Sequence, residues 1–207
     1  EILHALYDGG GGAGLEDYWR ALSASKVGAG LFIWDFADEA TARTDLGGKL
    51  DAHSTYAPDG IVGPHFEKEG SYYTLRDVWS PVQIEPPVLN DEFAGALTVR
   101  NRYDFTTLAQ CRFTWKLVQF GASEAKTLAE GVAIAPAVAP HADGKLPLAL
   151  PANWREADAF AVTAIGPDGS ELWTSTWPTA AGTQRQAAAL ASRGGAAARV
   201  VTSPAGA

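Results

Sequence analysis

The chain has 207 residues, 46% hydrophobic and 19% charged, enough apolar material for one or two globular domains. Its net charge of −8 excludes nucleic acid and an anionic membrane surface as partners, because phosphates would be repelled, while a neutral sugar is indifferent to it. The single cysteine, Cys111, excludes an internal disulfide framework and a cysteine-rich metal site. Beside the apolar run 113–120 it reads as a buried structural thiol.

The chain opens at Glu1, contains no Met and closes on an Ala/Gly-rich stretch. Both ends read as cuts in a longer protein, which leaves localisation open between the bacterial cytoplasm, the periplasm and secretion. Residues 1–6 are an apolar run that ends in Tyr7-Asp8 and then Gly9 to Gly12. This pattern predicts a buried strand feeding a loop. Leu15, Tyr18, Trp19 and Leu22 fall on one face at helical spacing, predicting a helix over 15–25 that ends at the loop Lys26–Gly30. Leu31 to Phe36 is almost continuously apolar, as in a parallel-sheet strand covered on both faces. Residues 37–70 show little periodicity and many turn residues, predicting a long, potentially functional loop. Ser71 is the expected N-cap of a short helix carrying Tyr72, Leu75 and Trp79, closed by Pro81.

After Pro81 the rhythm changes. Short strands are expected at 94–103, 112–120, 128–134, 146–150, 159–165 and 171–176. Turn residues separate them at Gly121, Asp143-Gly144 and Pro167-Asp168-Gly169. Such spacing predicts an immunoglobulin-like β-sandwich. Residues 179–207 read as a linker or the opening of a further domain, with a weak helical patch near 187–190.

The candidate polar and aromatic site residues lie in the first 65 positions: Glu1, His4, Asp8, Trp34, Asp35, Asp38, Asp59 and His65. Taken singly, each has an ordinary reading: a solvated charge, a hydrogen-bonded histidine, a core tryptophan. The Gly9–Gly12 run is no phosphate loop, since no Gly-Lys-Ser/Thr follows.

Taken together, they resemble a known family. Glu1-Ile-Leu-His4-Ala-Leu6, the Gly-rich loop, Asp17-Tyr18-Trp19 and Gly30-Leu-Phe-Ile-Trp34-Asp35-Phe36-Ala-Asp38 look like the seventh and eighth barrel strands of glycoside hydrolase family 2, the β-galactosidase type. Ala57-Pro58-Asp59-Gly60-Ile61-Val62-Gly63-Pro64, Glu67-Lys68-Glu69-Gly70 and Trp79-Ser80-Pro81-Val82 look like the passage from that barrel to a following sandwich. A weaker likeness continues through Asn101-Arg102-Tyr103-Asp104-Phe105.

The resemblance implies a fold: the end of a (β/α)₈ barrel over 1–80, an immunoglobulin-like sandwich over 81–178, and a truncated remainder. It implies roles: Glu1 as nucleophile, His4 and Trp34 as substrate contacts, and Asp59 near a substrate or monovalent-cation site with Tyr56 beside it. The family's residue at position 59 is asparagine, so the Asp departs from the pattern. The acid/base glutamate and the Mg²⁺ ligands are expected upstream. The chain alone is therefore expected to be inactive and without a cofactor of its own, Mg²⁺ and a monovalent cation belonging to the full-length enzyme. Expected partners are a β-galactoside-like carbohydrate, the N-terminal domains of the same chain and, at full length, a second copy. Two alternatives stand beside this: the same family acting on glucuronides or mannosides, and a non-catalytic carbohydrate-binding or structural sandwich. A glucuronidase would want a basic pocket residue, and residues 1–40 offer only Arg20 and Lys26.

Overall fold

The computed structural model describes residues 3–4, 12–51, 59–121 and 124–192. The chain divides into two compact units, Glu1–Pro81 and Val82–Ala207.

In the first unit, strand β1 (Leu3–His4) runs parallel to β2 (Ile33–Trp34), with Leu3 opposite Ile33 and His4 opposite Trp34. Helix α1 (Leu15–Ala24) lies between them in sequence. Its apolar stripe buries Leu15 completely and Trp19 in part. On its polar side Arg20 pairs with Glu16 at 2.9 Å and with Asp17 at 3.2 Å, and these first-turn acids also suit the positive end of the helix. Helix α2 (Gly70–Val78) buries Leu75. The Trp19 ring meets Trp79, just past α2, edge-on at 5.8 Å.

Three sequence expectations for this unit are corrected. Leu31–Phe36 is not a strand buried on both faces: regular pairing covers only Ile33 and Trp34, and Phe32, Trp34 and Phe36 are exposed on alternate positions. The apolar run masks a period of two because its second face is also aromatic. Residues 37–70 are not one long loop but contain a hairpin, β3 (Thr41–Arg43) against β4 (Lys49–Asp51). Gly47 and Gly48, both at positive φ, turn it, and Arg43 ties it with bonds to Asp45 and Asp51. Ser71 is not an N-cap. Glu69 holds that position without a side-chain cap, and Ser71 is buried inside the first turn.

The second unit is built from two antiparallel sheets around one core. One has the order β11-β10-β7-β8, from β7 (Arg112–Phe120), β8 (Ala125–Ala133), β10 (Ala159–Ile165) and β11 (Glu171–Pro178). The other has the order β5-β6-β9, from β5 (Val82–Ile84), β6 (Ala96–Asn101) and β9 (Asp143–Pro147). Alternation sends Phe113, Trp115 and Leu117 from one sheet, and Leu97, Val99 and Leu146 from the other, into the shared core. Each such fully buried side chain contributes roughly 1.5–3 kcal/mol.

The architecture is a β-sandwich, mostly sheet with few helices. β7 and β10 have the bounds the sequence predicted. Asp143-Gly144, expected as a turn, instead starts β9, where Asp143 pairs with Arg100 of β6. The ladder with β6, with Leu146 buried opposite Leu97, overrides the local turn propensity. Cys111 is free and buried, and burial pushes its thiol pKa up, as befits an unreactive core thiol. Asn101 is fully buried at the end of β6. Its amide donates to the carbonyls of Thr106 at 2.8 Å and Val138 at 3.0 Å, and its Oδ1 accepts the Tyr103 N–H at 2.9 Å.

Residues 180–192, within the stretch read from sequence as a linker, form helix α3 (Ala180–Ser192). Thr179 caps it by accepting the Gly182 N–H at 3.0 Å. Thr179 also donates to the Ala157 carbonyl, so the cap is rooted in the sandwich.

Candidate functional site

The candidate site is assembled around the end of β2. The parallel register sets His4 directly across from Trp34. The chain leaves β2 through Asp35, Phe36, Ala37 and Asp38, and residues 59–62 return alongside it. The Asp35 N–H donates to the Asp59 carbonyl at 3.0 Å. The Ile61 N–H donates to the Asp35 carbonyl at 3.0 Å, the Val62 N–H to Phe36 at 3.1 Å, and the Asp38 N–H to Val62 at 2.9 Å. Ala37 and Val62 form a parallel bridge, and Val62 pairs onward with Lys68. Sequence positions more than 20 apart are thereby laced into one rigid edge.

Gly60 makes this approach feasible. A Cβ there would lie 2.2 Å from the Asp38 nitrogen and 2.5 Å from the Ala37 carbonyl carbon, closer than any side chain tolerates. Its N–H donates to Asp38 Oδ1 at 2.8 Å.

Two kinds of surface result. On one side stand exposed rings: Trp34 is 45% exposed, Phe36 64% and Phe66 68%, with Phe36 and Phe66 tilted together at 6.2 Å. Exposed aromatic faces can stack on the apolar face of a sugar ring. On the other side carboxylates crowd. Burial pushes the Asp35 pKa up, and the negative charges of Glu39, Asp59 and Asp38 push it further. Asp59 is buried.

The structure thus lines up Trp34, Asp35, Asp38 and Asp59 along one edge, with the His4 backbone paired to that of Trp34. His65 stands apart, exposed in the following turn, where its N–H donates to Glu67 Oε2 at 2.8 Å. Glu1, Asp8 and Tyr56 lie outside the described residues. Among the described residues, no group of three or more His, Cys, Asp or Glu side chains is placed to hold a metal ion. Phe66, at φ 61°, was not legible as a site residue: nothing in Gly63-Pro-His-Phe signals its pairing with Phe36.

Comparison with known proteins places the second unit. Residues 97–199 match the family model described as β-galactosidase, domain 4. A β-galactosidase of Actinobacillus pleuropneumoniae is 26% identical over 160 residues, covering 74% of this chain. The chain spans only 15% of that relative's length. Among solved structures, the exo-chitosanase of Amycolatopsis orientalis in complex with PNP-β-D-glucosamine gives a TM-score of 0.37 at 12% identity, over 75% of this chain and 16% of that one. The β-D-mannosidase of Dictyoglomus thermophilum gives 0.32 at 16% identity, over 83% of this chain and 19% of that one. The domain 4 match and the β-galactosidase relative make the chain similar to the β-galactosidase type of glycoside hydrolase family 2.

Proposed function

We propose that residues 1–80 are the closing part of a (β/α)₈ catalytic barrel and that residues 81–178 are an immunoglobulin-like sandwich behind it. The enzyme is a retaining glycosidase that removes a terminal β-linked sugar, galactose by preference. The observation that carries this reading is the parallel register of His4 against Trp34. It joins a Glu-x-x-His segment and an exposed tryptophan at neighbouring strand ends, where barrel enzymes keep their chemistry.

In this mechanism the Glu1 carboxylate attacks the anomeric carbon from the face opposite the leaving group. A second carboxyl, supplied upstream and about 5–5.5 Å away, protonates the departing oxygen and then activates water. His4 contacts a sugar hydroxyl, and Trp34 offers its ring to the sugar's apolar face. A neutral sugar suits the site better than a uronic acid. Arg20, one of the two basic residues in 1–40, is bound by Glu16 and Asp17 on the surface of α1, and the strand end itself is acidic.

The test is a 2-deoxy-2-fluoro β-galactosyl fluoride applied to the full-length protein. The covalent label is expected on the Glu1-Ile2-Leu3-His4 segment by peptide mass. A label on another carboxylate, or slow labelling beside a fast manno-configured reagent, would overturn the nucleophile or the sugar respectively.

A further inference from the structure

The planar peptide that joins Asp59 to Gly60 is held at both ends. Its N–H donates to Asp38 Oδ1 at 2.8 Å, and its C=O accepts the Asp35 N–H at 3.0 Å. That Asp35 N–H belongs to the peptide that joins Trp34 to Asp35. The Asp38 carboxylate therefore stands two hydrogen bonds from the backbone of Trp34, with one rigid amide between them. Both bonds polarise that amide in the same sense, so each strengthens the other.

Neighbouring bonds do not replace this one. Those of Ile61 and Val62 to Asp35 and Phe36, and of Asp38 N–H to Val62, set the direction of the returning segment. Only the Asp38 side chain is seen to hold the Gly60 N–H. The Asp38 carboxylate also lies near enough to Asp35 for Asp35 to feel its negative charge, so the bond to the Gly60 N–H sits at the same acidic edge as the Trp34–Asp35 peptide it helps to hold.

We propose that Asp38 is a positioning residue: through the Asp59–Gly60 peptide it fixes the Trp34 backbone, and so the angle at which the Trp34 ring meets the substrate. This rests on the reading of Trp34 as the sugar platform.

The experiment uses the full-length protein with 4-nitrophenyl β-galactoside. Trp34→Ala is expected to raise KM about tenfold with a smaller change in kcat, since a misplaced platform weakens binding first. Asp38→Ala should raise KM likewise, and the double variant should be no worse than Trp34→Ala alone, because both act through one ring. Asp38→Asn keeps an acceptor oxygen and should stay within about twofold of wild type. If Asp38→Ala does not fold, Asp38→Glu takes its place: it keeps the charge but displaces the acceptor, and should raise KM at an unchanged melting midpoint. A wild-type KM in Asp38→Ala or Asp38→Glu, multiplicative effects in the double variant, or an Asn variant as impaired as Ala would overturn the proposal alone. An unchanged KM in Trp34→Ala would overturn the platform reading and this proposal together.

Discussion

Asp158 and Arg185 join the sandwich to the helix that follows it. Asp158 is only 5% exposed and lies just before β10. Its Oδ2 accepts the Phe120 N–H at the end of β7 at 2.8 Å, and its Oδ1 accepts from Arg185 Nε on α3. Arg185 reaches on to the Glu156 carbonyl at 2.7 Å. Burial alone would push the Asp158 carboxyl pKa up, but the Arg185 hydrogen bond, the Phe120 N–H and the Arg185 charge outweigh it and hold it low.

A carboxyl whose folded pKa is depressed contributes stability above its unfolded value and loses it as pH falls through the folded value. The second unit should therefore lose stability below about pH 4, where Asp158 begins to protonate in the unfolded chain. Arg185→Ala should cost about 2 kcal/mol at neutral pH, the scale of a hydrogen bond to a charged group. It should also make the acid loss smaller and end it at a higher pH, because the unfolded chain fixes the onset while the remaining depression is smaller. Urea unfolding followed across the acid range tests this. Superimposable acid limbs in the two proteins would refute it.

Gly182 sets how close α3 comes. A Cβ on residue 182 would lie 1.9 Å from the Asp158 carbonyl oxygen, a rigid backbone atom that cannot step aside. Gly182→Ala should therefore move α3 and cost about 1–3 kcal/mol, as overpacking does. On helix propensity alone the same change would stabilise by up to about 1 kcal/mol. The sign of the measured change decides between packing and propensity. Thr179→Ala, which loses the cap, should cost about 1 kcal/mol.

The sandwich was legible in the sequence where alternation was clean. In Arg112–Phe120 the inward Phe113, Trp115 and Leu117 are spaced by two, and in Ala159–Ile165 the inward Phe160, Val162 and Ala164 repeat the pattern. The sequence was less informative where partners lie far away. Asp143 is a turn former by type, and its place at the start of β9 follows from the ladder with β6, where it sits opposite Arg100, 43 positions earlier. The hairpin over 41–51 was signalled by Gly47-Gly48, but its strands are too short for periodicity to register. At the site, Trp34 and Asp59 were named by likeness to the family. The role of Asp38 follows only from the returning segment at 59–62, because no spacing rule links positions 38 and 60.

Asn101 offers a test of the sandwich that does not depend on catalysis. Its side chain makes three hydrogen bonds inside the core. Asn101→Ala would leave the Thr106 carbonyl and the Tyr103 N–H short of partners, while the Val138 carbonyl keeps its bonds from the Leu108 N–H and Thr107 Oγ1, at about 2 kcal/mol in total. Asn101→Asp keeps the acceptor for Tyr103 but turns a donor into a negative charge facing two carbonyls, and should be worse. Chemical denaturation would order the three proteins as wild type, Ala, Asp in falling stability. An Asp variant more stable than the Ala variant would show that the donor half of the amide contributes little.

The last prediction concerns Glu1 in the full-length protein. A retaining glycosidase needs an ionised carboxylate on the face of the sugar opposite the leaving group. Glu1→Gln removes that charge at nearly constant shape. Turnover should fall by several orders of magnitude, roughly the scale seen when a covalent nucleophile is lost, while galactose binding is retained. Stereochemistry then separates a nucleophile from an acid/base. With Glu1→Gly, the space left by the carboxylate admits azide, which must attack from the nucleophile's side and give the α-galactosyl azide from an activated β-galactoside. If Glu1 were instead the acid/base, the true nucleophile would still form the covalent intermediate. Azide would then enter from the other face and give the β-product. A proton NMR spectrum of the anomeric region distinguishes the two. An exposed structural glutamate predicts neither product and near-normal turnover. The α-azide is the expected result; the β-azide, or undiminished activity in Glu1→Gln, would remove Glu1 from the nucleophile's position.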